Sequence, residues 1–236
     1  IRDRTKDSAR EKSTKKRKDL GLRTARENLD DLVDPGSFLE FGAFAVAAQR
    51  NRRDYEELQL ETSADGILTG FCNINEDEVG EDNSHAAAII YDYSVLAGSQ
   101  GFFHHQKLDR ICEKAEEFSL PVVIFTEGGG GRPGDTDVTT QIAGLHIPSF
   151  STWARLTGKC LKIAVNNGYC FAGNAVLFGC SDFMIATKKS WIGMAGPAMI
   201  EGGGLGIYDP KEIGPAEEQY KNGVLDYLAE DEKEAT

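Results

Sequence analysis

The sequence predicts an α/β protein with a mainly parallel sheet, and three observations carry that assignment. Short apolar runs rich in valine and isoleucine alternate with segments of helical periodicity from about residue 66 onward. The runs end in glycine-bearing turns, as buried strands do, and 26 glycines in 236 residues are many for a chain of this length. No repeat suggests a solenoid.

In chain order, residues 1–33 read as one helix that stops at the turn Asp34-Pro35-Gly36. The apolar stretch 37–46 is strand-like, and the charged stretch 51–61 reads as a mobile loop. A hairpin follows, with strands over 66–74 and 85–93 joined by an acidic loop. Residues 98–118 form a helix, because Phe102, Phe103, Leu108, Ile111, Cys112 and Ala115 recur at helical spacing. Next come a strand at 121–126, a helix at 149–157 and a strand at 161–165. Asn166-Asn167-Gly168 then turns the chain into a small-residue helix, before a strand at 182–187 and a second glycine-dense region at 193–206.

Composition narrows the function classes. No apolar run approaches the roughly 20 residues that span a membrane, and no signal-peptide pattern opens the chain. Five separate cysteines with mostly apolar neighbours suit buried thiols in the cytoplasm or another reducing compartment. Four histidines without zinc-ligand spacing point to no bound metal. The net charge of −12 is uneven: residues 1–26 carry eleven Lys/Arg against four Asp/Glu, while the remainder carries 15 basic and 34 acidic residues. A basic arm without interleaved aromatics on an acidic body argues against nucleic acid. It reads as a solvated amphipathic helix packed on that body, with some arginines placed to meet a phosphate-bearing ligand. Residues 1–36 are thus a basic helical arm and 37–236 the main domain. The start at Ile1 and the close in EDEKEAT read like a piece cut from a longer chain.

The most informative stretch is PVVIFTEGGGGRPG, residues 121–134. A buried strand runs into four glycines, whose backbone admits positive φ and close approach by another molecule. Such a loop can aim peptide N–H groups at an oxygen that gains charge during a reaction. Taken alone, a glycine run reads first as a flexible surface loop, and the rest of the chain shifts that balance. A second strand end offers small residues, Gly168 with Ala172 and Gly173, ahead of a helix N-terminus. Two such segments converging on one oxygen make an oxyanion hole.

At these residues the chain resembles the N-terminal half of the carboxyltransferase component of biotin-dependent acyl-CoA carboxylases, in the crotonase superfamily. The likeness covers nearly the whole chain. It runs through TARENLDDLVDPGSFLEFG (24–42), ADGILTGF (64–71), AGSQGFFHHQKLDRICEKA (97–115), EGGGGR, NNGYCFAGN and the closing segment 212–235. The resemblance implies a ClpP/crotonase-like spiral of ββα units, making 37–236 an acyl-CoA-binding domain. Carboxybiotin releases carbon dioxide, the biotin enolate takes the acyl α-proton, and the acyl enolate attacks the carbon dioxide. The thioester oxygen becomes anionic, and the family's donors fall on Gly130 and Gly131 here. The base belongs to biotin, which agrees with the lack of an obvious acid/base pair. Implied partners are acyl-CoA, a biotin carboxyl carrier domain, the C-terminal carboxyltransferase half and a biotin carboxylase, in a homo-oligomer. The isolated half is expected to bind CoA esters weakly and turn over poorly.

Gly129, Arg132, Ser99, Lys107, Tyr169, Ala172 and Gly173 are the candidate substrate-binding residues. Arg132 either neutralises a phosphate or carboxylate or holds the loop through local hydrogen bonds. Lys107 and His105 either touch CoA or lie in solvent; Tyr169 either stacks on adenine or packs internally. Asp182 opens a strand and reads as structural, and residues 193–204 read as a pocket wall. Several features depart from the family pattern. Gly131 stands for an alanine, Glu127 precedes the loop, Pro133-Gly134-Asp135 replaces the usual sequence, and the pattern stays altered to Lys159. There is no four-cysteine zinc ribbon. Two other readings stand beside the first: a biotin-linked acyl-CoA decarboxylase subunit, and a non-catalytic assembly domain of the same fold. A hydratase is disfavoured, because Glu127 and Glu201 do not stand where its glutamate pair belongs.

Overall fold

The computed structural model describes residues 2–138 and 147–236. Residues 139–146, part of the altered stretch after Arg132, lie outside the described residues. The predicted single helix over 1–33 is instead several pieces. Two 3₁₀ turns precede α1 (Glu11–Asp19), and α2 (Ala25–Leu32) is separate. Gly21, at φ 68°, ends α1. Leu22 N–H donates to Arg17 O and Gly21 N–H to Lys18 O, a Schellman stop. Thr24 restarts the chain through a capping box with Glu27.

Strand β1 (Leu39–Phe41) is shorter than the predicted 37–46, because Gly42 turns away at φ 64°. The predicted loop at 51–61 contains α3 (Tyr55–Glu61), whose Leu58 is buried with Val46 and Ala47. One apolar anchor amid charges left no helical stripe to read. The hairpin is as expected: β2 (Ile67–Asn73), the helical turns α4 (Glu76–Val79) and α5 (Glu81–Ser84), then β3 (His85–Tyr91), paired antiparallel from Ile67↔Tyr91 to Asn73↔His85. There follow α6 (Phe102–Phe118), β4 (Val122–Phe125), α7 (Ser149–Arg155), β5 (Lys162–Phe171), α8 (Gly173–Gly179) and β6 (Phe183–Gly193). The described chain closes with α9 (Pro197–Gly202), α10 (Ala216–Lys221), β7 (Tyr227–Ala229) and α11 (Glu232–Ala235).

The strands form one sheet in the order β1-β2-β3-β4-β5-β6-β7, antiparallel up to β3 and parallel beyond it. Alternate side chains enter two cores. Ile89, Val122 and Ile124 pack with Leu108 and Ile111 of α6 and Trp153 of α7. Ile90, Val123 and Phe125 pack with Ala25 and Leu29 of α2 and Ala235 of α11. Burial on both faces explains why these strands read as continuous apolar runs. Cys72, Cys112, Cys160 and Cys170 are buried as expected, whereas Cys180 is exposed.

Two departures shape the functional region. The predicted turn at 166–168 does not end β5. The register shifts there, from Asn166↔Ala186 to Gly168↔Ser190, and the strand runs on to Phe171. Gly168 adopts φ 101° at this irregularity, and Asn166 Nδ2 donates to Gly168 O at 3.0 Å. Moreover, α1 (EKSTKKRKD) has no apolar residue and so no amphipathic stripe. It docks on the body through buried ion pairs, with Arg10 flanking it 2.8 Å from Asp92 and Arg17 within it 2.7 Å from Glu127.

Candidate active site

The loop after β4 is held amide by amide. Gly128 N–H donates to Tyr169 O at 2.7 Å, and Phe171 N–H donates back to Gly128 O at 2.9 Å. The extension of β5 past its irregularity is what places Tyr169 and Phe171 there. Gly129 N–H donates to Ala97 O at 3.1 Å, and Gly130 N–H to Asn174 Oδ1 at 3.0 Å. Gln100 N–H donates to Gly130 O at 2.7 Å, and Arg132 N–H to Gln100 O at 2.9 Å. From 128 to 132, the Gly131 amide alone donates to no acceptor among the described residues, and Gly131 is exposed.

The glycines are needed for close approach. A Cβ on Gly128 would lie 2.2 Å from both Asn174 Nδ2 and Gly98 O. One on Gly130, whose φ is 87°, would lie 2.8 Å from Ala172 Cβ and 3.6 Å from Gly173 N. The loop and the 172–173 turn are therefore in contact, as expected for two converging segments. Ala172 sits at φ 53°, ψ −120°, a rare conformation for a residue with a Cβ. Its amide donates to Gly193 O, while Gly173 N–H has no acceptor among the described residues. Asn174, fully buried, bonds Gly130 N–H through Oδ1 and Thr126 O through Nδ2 at 3.0 Å. Sequence reading missed it; an asparagine among small residues in the first turn of a helix was its one signal.

Arg132 is committed within the protein. Its Nη1 pairs with Asp65 Oδ1, Nη2 donates to Ser99 O at 2.7 Å, and Nε donates to Ser99 Oγ at 3.2 Å. Of its two expected roles, the geometry has Arg132 as a holder of the loop. Ser99 Oγ also donates to Leu96 O, at 2.6 Å. Lys107 lies neither in solvent nor at the loop. It is buried, with Nζ donating to Ala64 O at 2.8 Å and to Ile67 O, and burial lowers its pKa to about 8. His105 is likewise buried, with Nδ1 2.9 Å from Ser149 Oγ, and burial lowers it to about 4. Both occupy the α6 face turned inward, so sequence reading put them on the wrong side of the helix.

Glu127 packs against Gly168 and pairs with Arg17, and both charged groups line the cavity beside the loop. A Cβ on Gly168 would lie 2.1 Å from its Oε1, and Arg17 holds its Oε2. Burial raises its carboxyl to about 7 against the pull of Arg17, with the nearby Glu232 and Asp92 pushing the same way as burial. Above this pair lies a cavity of about 650 Å³ between α1 and the body. Lys16, Lys189 and Lys211 give it cations, and Tyr93, Tyr169 and Trp191 give it aromatic walls. Tyr169 is half-buried, with ring centroids 5.1 Å from Trp191 and 5.7 Å from Phe171. Ala97 and Gly168, beside the loop, also line the cavity. Cations, flat rings and a volume of this size suit a ligand with phosphates and an aromatic base. Asp182 is structural as expected, accepting from Lys162 N–H at 2.8 Å. Among the described residues, no group of three or more His, Cys, Asp or Glu could hold a metal ion, and no helix is long and apolar enough to cross a membrane.

Comparison with known proteins gives consistent matches. The family model described as "carboxyl transferase domain" matches residues 16–236. The methylmalonyl-CoA carboxyltransferase 12S subunit of Propionibacterium freudenreichii subsp. shermanii is 30% identical over 227 residues, covering 95% of this chain and 41% of that protein. The biotin-dependent long chain acyl-coenzyme A carboxylase beta4 subunit of Mycobacterium tuberculosis is 28% identical over 232 residues, covering 98% and 41%. The chain thus spans about two fifths of the length of these relatives. Among solved structures, a single-chain, multi-domain long-chain acyl-CoA carboxylase superposes with a TM-score of 0.93 at 51% identity, covering 99% of this chain and 23% of that one. The fold is therefore the crotonase-like one of carboxyltransferase domains.

Proposed function

The chain belongs to the carboxyl transferase domain family, and on that premise we propose that it is the acyl-CoA-binding half of a biotin-dependent carboxyltransferase. The observation that carries this reading is the Gly131 amide, which has no acceptor among the described residues on a loop whose neighbouring amides are all engaged. An acyl-CoA lies with its nucleotide end in the cavity beside Tyr169 and Trp191 and its thioester over the loop. The phosphates meet Lys16, Lys189 and Lys211. The thioester oxygen accepts from Gly131 N–H and from Gly173 N–H, the free amide of the facing turn. Gly130 supplies shape rather than a donor, since Asn174 takes its amide.

Enolisation puts negative charge on that oxygen, so fixed donors stabilise the transition state more than the ground state. Biotin, on its carrier domain, supplies the carboxyl group and the base. The chain's own part is to bind the ester, fix its carbonyl and hold the cavity-lining Glu127 in its ion pair with Arg17. Partners follow from this division: a biotin carboxyl carrier domain, the C-terminal carboxyltransferase half, a biotin carboxylase and further copies in a homo-oligomer. The length of the relatives supports a partner half, and the buried thiols suit a reducing compartment such as the cytoplasm.

The test is a thermal-shift titration with acetyl-, propionyl- and long-chain acyl-CoA, with turnover measured in the complete protein. A ligand that binds only the folded state must raise its melting temperature. Gly131→Pro, which removes the amide hydrogen, is expected to lower kcat/KM by about 10²–10³-fold. Unchanged turnover in that variant would remove Gly131 from the reaction. Absence of any shift with the complete protein would favour the assembly-domain reading.

A further inference from the structure

Directly before β2, Ala64, Asp65 and Gly66 are all left-handed, at φ 54°, 49° and 74°. Two of the three carry a Cβ, so the conformation is strained and persists only where its surroundings over-determine it. Here they do. Asp65 N–H donates to Ala45 O at 3.1 Å, and Lys107 Nζ donates to Ala64 O at 2.8 Å. The result is a fully buried carboxylate that meets the side chain of Arg132, the residue ending the glycine loop.

That carboxylate joins two elements. Oδ2 accepts the His104 N–H in the first turn of α6 at 2.7 Å, and Oδ1 takes Arg132 Nη1. The guanidinium is fixed from every side. Its other nitrogens donate to Ser99, Asp135 Oδ2 lies 3.6 Å from Nη1, and a Cβ on Gly101 would fall 2.2 Å from Nη1. Asp135 is itself held by Phe102 N–H at 2.8 Å and by Gln49 Nε2 at 3.0 Å. Arg132 therefore has one position, and its backbone N–H bonds Gln100 O, while Gln100 N–H bonds Gly130 O. The Gly131 N–H shares one peptide plane with the Gly130 carbonyl that Gln100 N–H holds, and Arg132, bonded to Gln100 O and Ser99 O, fixes the other end of Gly131.

We propose that Asp65 is a positioning residue for the Gly131 amide, acting through the Arg132 guanidinium. The inference rests on the reading of Gly131 as an oxyanion donor. Asp65 touches no reacting atom in this scheme. It anchors the side chain whose backbone ends the donor loop. A misplacement of about 1 Å in such a donor can cost about 10²-fold in rate.

The test uses the complete protein and Asp65→Asn, which keeps the shape and removes the charge. Gly101→Ala is the second variant, because its methyl would press on the guanidinium and on its neighbour Asp135 Oδ2 while leaving the Asp65 side chain itself unchanged. Both are expected to lower kcat by about 10²-fold while KM stays within about threefold. Infrared difference spectra of bound ¹³C=O-labelled acyl-CoA supply a readout that fold stability does not move. The wild-type thioester stretch should fall to lower frequency on binding, and the fall should shrink in both variants. If Asp65→Asn does not fold, Gly101→Ala decides. An undiminished carbonyl shift with wild-type kcat in the folded variants overturns the role of Asp65 alone. No carbonyl shift in the wild type overturns the oxyanion reading and the proposal together.

Discussion

Gly130 and Gly131 are adjacent and identical in chemistry, yet the structure gives them different tasks. Gly130 needs to be glycine, since its φ is 87° and a Cβ would meet Ala172 at 2.8 Å. Gly131 has open space around its Cβ position and no positive φ. Gly131→Ala is therefore expected to leave stability unchanged or raise it by about 0.4–1 kcal/mol, with turnover retained, because the amide is unaltered. Gly130→Ala is expected to lower stability by about 1–3 kcal/mol and to lose turnover with it. Urea denaturation together with an acyl-CoA carboxylation assay checks both. Equal tolerance at the two positions would show that the loop relaxes freely.

At the scale of elements, α1 is held to the body by charge where most helices are held by an apolar stripe. Arg17 pairs with Glu127, with Glu232 3.8 Å away, and Arg10 pairs with Asp92. Three carboxylates thus face two arginines, and Glu127, raised to about 7 by burial, is where the cluster takes up a proton. A carboxyl whose folded pKa exceeds its unfolded value contributes stability that is complete below the unfolded value near 4.5. That contribution is lost as pH rises through the folded value. Removing Arg17 raises the folded value further and carries the loss to higher pH. Arg17→Met is accordingly expected to cost little at pH 5.5 and to cost more as pH rises from 7 to 8.5. Melting temperatures of the two proteins across that range measure this, and a pH-independent difference would rule out Glu127 as the titrating partner. Since α1 also walls the cavity, acyl-CoA binding should weaken in parallel.

At the scale of the whole molecule, the region after β6 stands out for its exposed apolar side chains. Met194, Met199, Leu205 and Ile207 are 65%, 64%, 73% and 83% exposed. Exposed apolar side chains so close in sequence are what the contact surface required by the proposed function would present. They agree with a division of labour in which another half of the carboxyltransferase packs against the acyl-CoA-binding half. Hydroxyl-radical footprinting is expected to oxidise Met194 and Met199 quickly in this chain alone and slowly in the complete protein. Equal rates would place the partner elsewhere.

The sequence by itself determined the α/β class, the hairpin, the parallel strands and the two glycine segments, because these depend on local periodicity and turn chemistry. The Schellman stop at Gly21 had a local signal, a glycine after a basic helical turn, yet the expected helix ran through it to residue 33. Only the tertiary structure decided that 166–168 kinks β5 rather than ending it, since a bulge and a turn share the same residues and differ in what lies alongside. Only it turned Lys107 and His105 inward and gave the Gly130 amide to Asn174. Which amide remains free depends on acceptors contributed by Tyr169, Ala97, Asn174 and Gln100, up to 44 positions away along the chain. Periodicity reports which face of an element is apolar. Hydrogen-bond partners across such distances are fixed only when the sheet brings its strand ends together.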